Sequence, residues 1–284
     1  MIGTKFDYHT PPSAETAVAL LGDLDGDVEI IGGGTWVVPE MTHGTRQPGH
    51  IVDLSKAGLS EIEADVGGLK VGATATYSVI ASSALVLERA PLLAAMASGI
   101  TGGAQVRNQG TIGGSACYAT PSSDVPGALV ALDARLRLAS GGGLREVDAV
   151  DFFTGAFESD LQAGEVLTEI HIPEAPDGAR YGYYKLKFCE SSWPIATSGC
   201  VLALAGDGTV ESARLAVGGV STRPYLVDTS GLVGSGVDDA SVEAISAAAQ
   251  AAATDPYTDV LADGSYRQQV AGVVAKRAVL DATA

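Results

Sequence analysis

Val28-Glu29-Ile30-Ile31-Gly32-Gly33-Gly34-Thr35-Trp36 runs from a short apolar strand straight into three consecutive glycines. Glycines leave successive backbone N–H groups unshielded by side chains, so such a turn can close around an anion. Thr35 adds a hydroxyl donor at the end of the run. The spacing is not GxGxxG, so the dinucleotide fingerprint of a Rossmann fold is missing. Taken alone, a glycine triplet is usually just a turn, so this one needs support from elsewhere in the chain.

Working outward, Pro12-Ser13-Ala14-Glu15 reads as a helix start with Ser13 as its cap, and Ala17, Leu20 and Leu21 share one face. His50-Ile51-Val52-Asp53-Leu54 reads as the next strand. The strand–helix–strand rhythm predicts a small α/β lobe over about residues 1–55. Leu69-Lys70-Val71-Gly72-Ala73 and Arg135-Leu136-Arg137-Leu138-Ala139 alternate polar and apolar like half-buried strands. Gly141-Gly142-Gly143 then turns into Leu144-Arg145-Glu146-Val147. Pro91 to Met96 and Pro126 to Leu132 read as helices, and Glu165 to Pro173 as a strand stopped by proline. Pro173-Glu174-Ala175-Pro176-Asp177-Gly178 is the linker candidate. Beyond it the pattern predicts strands over Tyr181–Phe188, Ser198–Ala205 and Val210–Val217, then helices over Ala240–Ala253 and Ser265–Leu280.

Of 284 residues, 46% are hydrophobic and 18% charged, the signature of a globular chain. The formal charge is −17, which repels nucleic acid and anionic lipid. Any phosphate group must then be gripped locally by backbone donors. No apolar run reaches membrane-spanning length and no secretory leader is visible, so a soluble cytoplasmic protein is expected. The three cysteines (Cys117, Cys189, Cys200) show no CxxC spacing and the four histidines no paired spacing. A disulfide framework, a metal site or an iron–sulfur cluster within this chain is therefore not expected.

A second glycine stretch, Thr111-Ile112-Gly113-Gly114-Ser115, is followed by Pro121-Ser122-Ser123-Asp124-Val125-Pro126. Asp124 reads equally as a helix cap or as a carboxylate for a ribose or adenine. Two anion-cradling stretches together suit a diphosphate, which needs donors on both sides. Here a resemblance enters. Gly32 to Trp36, preceded by Ile30-Ile31 and followed by Pro39, is similar to the first flavin loop of the medium subunits of molybdenum hydroxylases. These are the FAD subunits of carbon monoxide, caffeine and nicotine-pathway dehydrogenases and the central domain of xanthine dehydrogenase. Val106-Arg107-Asn108-Gln109-Gly110-Thr111-Ile112-Gly113-Gly114 matches that family's VRNxGTIGG nearly letter for letter. Pro121 to Leu132, Asp151 to Gly155, Glu165 to Pro173 and Tyr266-Arg267 also fall in the family's order, so the likeness spans the chain.

The resemblance implies an α+β chain. Residues 1–176 would form a FAD-binding vanillyl-alcohol-oxidase/PCMH-type domain with lobes of about 1–55 and 56–176. Residues 177–284 would form a C-terminal domain with a three-stranded antiparallel sheet and helices. It implies non-covalent FAD held by Ile31, Gly32, Gly33, Gly34, Thr35, Trp36, Thr101, Thr111, Gly113, Gly114 and Ser115. Asp124 would bind the adenosine part, Leu167 would pack near the adenine, Lys185 or Lys187 would approach the flavin ring, and Trp193 would lie against it or simply pack. No acid–base or nucleophile set for substrate chemistry emerges. The implied role is an electron-transfer oxidoreductase subunit in a heterotrimer. Its partners would be a small [2Fe–2S] subunit and a large subunit with the molybdopterin cofactor, and electrons would leave to an external acceptor. A self-contained flavin oxidase of the same superfold is the alternative, with Cys117 the thiol nearest the glycine stretches. Ser115 stands where the family has Asn, and Tyr118 and Trp36 are bulkier than usual.

Overall fold

A computed structural model describes residues 2–284. The first lobe is a parallel sheet in which His50–Asp53 lies between Asp7–His9 and Val28–Ile31. Parallel neighbours need crossovers, and the helices Ala14–Asp23 and Val37–His43 supply them. Ser13 caps the first helix through Thr16 N–H, as its sequence position predicts.

The second lobe is a five-stranded antiparallel sheet in the order Ile62–Asp65, Gly68–Gly72, Val166–Pro173, Arg135–Ser140, Gly143–Asp148. Between its second and fourth strands in space the chain inserts a run of short helices from Tyr77–Ser82 to Asp124–Ala131. The last of these is apolar on all sides after Asp124 at its start, and every residue of it is buried. A helix of that kind must be covered all round. The helical insertion covers one side and the C-terminal sheet the other, where a Cβ on Gly127 would lie 3.1 Å from the Gly218 Cα.

That sheet carries the three expected long strands, Arg180–Lys187, Pro194–Leu204 and Val210–Gly218. A two-residue fourth strand, Tyr225–Leu226, extends the three-stranded sheet expected from the sequence; it is too short to leave an alternating pattern. The helices Asp239–Ala252 and Gly264–Thr283 pack over this sheet, closely enough that a Cβ on Gly182 would strike the Ala278 carbonyl at 2.0 Å. Arg267 is fully buried and ties the Ile195 and Gly219 carbonyls together. Among the described residues no helix is long and apolar enough to cross a membrane, and no cluster of possible metal ligands forms.

Candidate cofactor cavity

The two lobes, with Ser191 and Trp193 of the loop between the first two strands of the C-terminal sheet, line one large cavity of about 890 Å³. That is near the upper end for small-molecule pockets and calls for a long occupant. Gly32, Gly33, Gly34, Thr35 and Trp36 line it from the end of the Val28–Ile31 strand. Thr111, Gly113, Gly114 and Ser115 line it from the facing side. The first stretch presses on the backbone just before the second, a Cβ on Gly33 sitting 1.6 Å from the Gln109 carbonyl oxygen, and on the second through a side chain, a Cβ on Gly32 sitting 2.5 Å from Thr111 Oγ1. Gly34 has φ +64°, a left-handed conformation that glycine adopts without strain.

Their hydrogen bonding differs sharply. Among the described residues, the N–H groups of Gly32, Gly33, Gly34, Thr35 and Trp36 have no acceptor. Backbone donors are rarely left so, and a consecutive set facing a cavity marks an anion cradle. The second stretch is not a loop but the first turn of the helix Ile112–Tyr118, with Thr111 as its cap. Its amides are already bound: Gly113 to the Ala73 carbonyl at 2.8 Å, Gly114 to Thr111 Oγ1 at 3.2 Å, Ser115 to the Thr111 carbonyl at 3.2 Å. What it offers the cavity is closeness. A Cβ on Gly114 would meet nothing within 4 Å except Thr111 Oγ1 at 2.9 Å.

Ile31, Thr101, Asp124, Leu167 and Trp193 also line the cavity. Leu167 reaches it where the Val166–Pro173 strand shifts register between Leu167 and Glu169, a bulge that re-aims the side chain. Asp124 is not the cap of its helix; Ser123 is, through Val125 N–H. Burial raises the Asp124 pKa above its ordinary value, against the opposing pull of Lys185.

Lys185, expected to face the flavin ring, does not line the cavity. Its ammonium donates to Asp124 Oδ2 at 2.8 Å and to the Gly99 carbonyl at 3.0 Å. With the two side chains only 8% and 3% exposed, the pair satisfies a cation that could not stay buried alone. The alternative, Lys187, turns to the carbonyl and carboxylate of Glu190 and does not line the cavity either.

One end of the cavity is aromatic and charged; the sequence pointed to Trp36, Trp193 and Tyr118 there but not to Phe157, Glu40 or Arg46. Trp36, Tyr118, Trp193 and Phe157 meet there at centroid distances of 4.9 Å (Trp36–Tyr118), 5.2 Å (Trp36–Trp193) and 5.4 Å (Tyr118–Phe157). Phe157 and Ala119 both have positive φ, and Phe157 N–H donates to the Ala119 carbonyl at 2.9 Å. Each such conformation costs about 1 kcal/mol and is held only by its surroundings. Tyr118 donates to Glu40 Oε1 at 3.0 Å; burial, then this contact, push its pKa up to about 12. Arg46 binds Glu40 Oε2 at 2.8 Å and also Glu29. Arg46 is the one lysine or arginine lining the cavity among the described residues, and two carboxylates already hold it. The Trp36 indole Nε1 is buried without a partner.

These features suit FAD. The free amides match its diphosphate, the aromatic end matches a conjugated ring system, and Asp124 with Leu167 offers a polar and an apolar contact for an adenosine. Comparison with known proteins agrees. Residues 4–175 match the family described as FAD binding domain in molybdopterin dehydrogenase, and residues 182–282 the CO dehydrogenase flavoprotein C-terminal domain. The chain is 35% identical to the carbon monoxide dehydrogenase medium chain of Hydrogenophaga pseudoflava, over 98% of this chain and 97% of that one. It is 31% identical to the glyceraldehyde dehydrogenase medium chain of Sulfolobus acidocaldarius, over 98% of each. The solved Hydrogenophaga pseudoflava carbon monoxide dehydrogenase superposes with TM-score 0.94 at 34% identity, covering 100% of this chain and 99% of that one. Quinoline 2-oxidoreductase from Pseudomonas putida 86 follows at 0.92 and 29%, covering 99% and 98%. Cavity, fold and likeness together make this chain a member of the FAD-binding medium subunits of molybdenum hydroxylases.

Proposed function

We propose that the chain is the electron-transfer subunit of a heterotrimeric molybdenum hydroxylase. It takes electrons from [2Fe–2S] clusters of a small subunit, downstream of a molybdopterin-bearing large subunit, and passes them to an external acceptor. The observation that carries the reading is the run of unpartnered amides from Gly32 to Trp36 beside a cavity of FAD size. Bound FAD would supply one- and two-electron redox chemistry, and the protein binding and orientation. The Gly32–Trp36 amides and the Thr35 hydroxyl would hold the diphosphate, the Gly113-Gly114 turn would let it approach, and Asp124 with Leu167 would take the adenosine. The aromatic end would bracket the ring and exclude water.

The flavin is held without a covalent bond. No histidine lines the cavity among the described residues, and burial pushes the lining Cys117 thiol up to about 12, far from a reactive thiolate. The lining polar groups already have partners, Tyr118 with Glu40, Arg46 with Glu29 and Glu40, and Asp124 with Lys185 outside the cavity, which supports holding a cofactor over turning over a substrate. We also assign residues 1–176 to the FAD domain and 177–284 to the C-terminal domain; a buried core drawn wholly from residues 195–282, beside one whose buried members lie at 69–172 except for Ala216, supports it.

Native purification followed by acid precipitation tests the reading. Free FAD in the supernatant, with iron and molybdenum co-purifying in two further chains, is the expected result. Flavin retained on the precipitated chain would favour the self-contained oxidase, and a complex without flavin absorption would overturn the proposal.

A further inference from the structure

The seam between the cavity and the C-terminal sheet is held at one buried charge. Asp124 is 3% exposed, lines the cavity, and meets the sheet through both carboxylate oxygens. From the Arg180–Lys187 strand, Tyr183 donates to Oδ1 at 2.7 Å and Lys185 to Oδ2 at 2.8 Å. The same ammonium donates to the carbonyl of Gly99, two residues before Thr101 of the cavity wall. One cation, itself outside the cavity, thus fixes a helix start and a wall loop from a strand in the other half of the molecule.

A carboxylate has room for about four hydrogen bonds, so two accepted from the sheet leave others for a ligand's hydroxyls. Burial disfavours its charged form; Lys185 and Tyr183 oppose that, and the remaining titratable neighbour is Tyr77 on the Tyr77–Ser82 helix, whose hydroxyl meets Ser115. Resting on the FAD reading above, we propose that Lys185 is a positioning residue. It keeps the Asp124 carboxylate ionised and oriented, so that the C-terminal sheet sets the affinity for the adenosine half of the cofactor.

FAD dissociation constants of the full-length chain, measured by flavin fluorescence from mildly acidic to mildly alkaline pH, test this. Lys185→Met is expected to weaken binding on the order of 10-fold, most on the acidic side, where a carboxyl without its cation takes up a proton. Lys185→Arg keeps the charge and most of the affinity. In an Asp124→Asn background, Lys185→Met adds no more than about twofold, and the pH dependence disappears. Should Lys185→Met alone be too unstable, the double variant, free of an unpaired buried charge, melts higher and supplies the comparison. An unchanged affinity and pH profile in Lys185→Met overturns the proposal. So does an equal loss in both backgrounds, since Lys185 would then act without Asp124. A wild-type chain that takes up no FAD overturns the cofactor reading instead, and this inference with it.

Discussion

The two glycine stretches around the cavity look alike in sequence and do different work. The Gly32–Trp36 turn leaves its backbone donors free, while the Thr111–Ser115 turn has bound its own to the Ala73 carbonyl and to Thr111. Glycine is needed in both for close approach. At Gly33 the obstacle is protein, with the Gln109 oxygen 1.6 Å from a would-be Cβ. At Gly113 it is again protein, the Ala73 oxygen at 2.6 Å. At Gly114 the space is nearly open and faces the cavity. On the proposed reading, the first stretch would grip the cofactor and the second would make room for it.

The comparison can be broken at three points. Gly33→Ala should do the most damage, since the turn must pull away from the Gln109–Gly110 backbone to admit the methyl group. A stability loss of about 1–3 kcal/mol together with loss of bound flavin is expected from denaturant unfolding and absorption spectra. A stable, FAD-replete variant would show that the turns do not depend on that contact. Gly114→Val should separate binding from folding. Stability stays within about 1 kcal/mol of wild type, whereas FAD affinity falls roughly 10–100-fold. Unchanged flavin occupancy would mean that this turn does not face the cofactor.

The smallest effect on flavin belongs to Glu165→Gln, on the cavity wall away from both stretches. Arg145 bridges Glu165 with bonds of 2.6 and 2.7 Å and holds its pKa below the ordinary glutamate value of 4.5. A depressed carboxylate contributes stability above that value and loses it as pH falls through the lower, folded-state value. The variant should cost about 1 kcal/mol near neutrality and leave FAD affinity within about twofold. The stability gap to wild type should close on acidification; a gap that persists there would mean that the ion pair is not its source.

Local signals were legible where one residue type enforces one geometry. Ser13 caps its helix, and Gly141-Gly142-Gly143 turns Arg135–Ser140 into Gly143–Asp148. The glycine stretches and Asp124 fall on the cavity as their motifs imply. The helices Tyr77–Ser82, Ala84–Arg89 and Gly103–Gln109 went unread because each is too short for its apolar spacing to repeat. Tyr118 and Phe157 meet only because two left-handed residues, Ala119 and Phe157, are locked together across the chain. Nothing in either local sequence demands that conformation. Glu40 and Arg46 carry no motif at all.

The sequence by itself determined where backbone can approach backbone or ligand, because only glycine lacks the atom that would collide. It also determined the acidic balance that leaves phosphate binding to local donors. Tertiary structure decided which donors remain available: whether an amide or an ammonium is free depends on the acceptors the fold brings to it. Ala73 reaches Gly113 across 40 positions, and Asp124 reaches Lys185 across 61, while the Gly32–Trp36 amides meet no acceptor among the described residues. Hydrogen bonds act over about 3 Å of space with no regard for sequence separation, so that allocation had to wait for the fold.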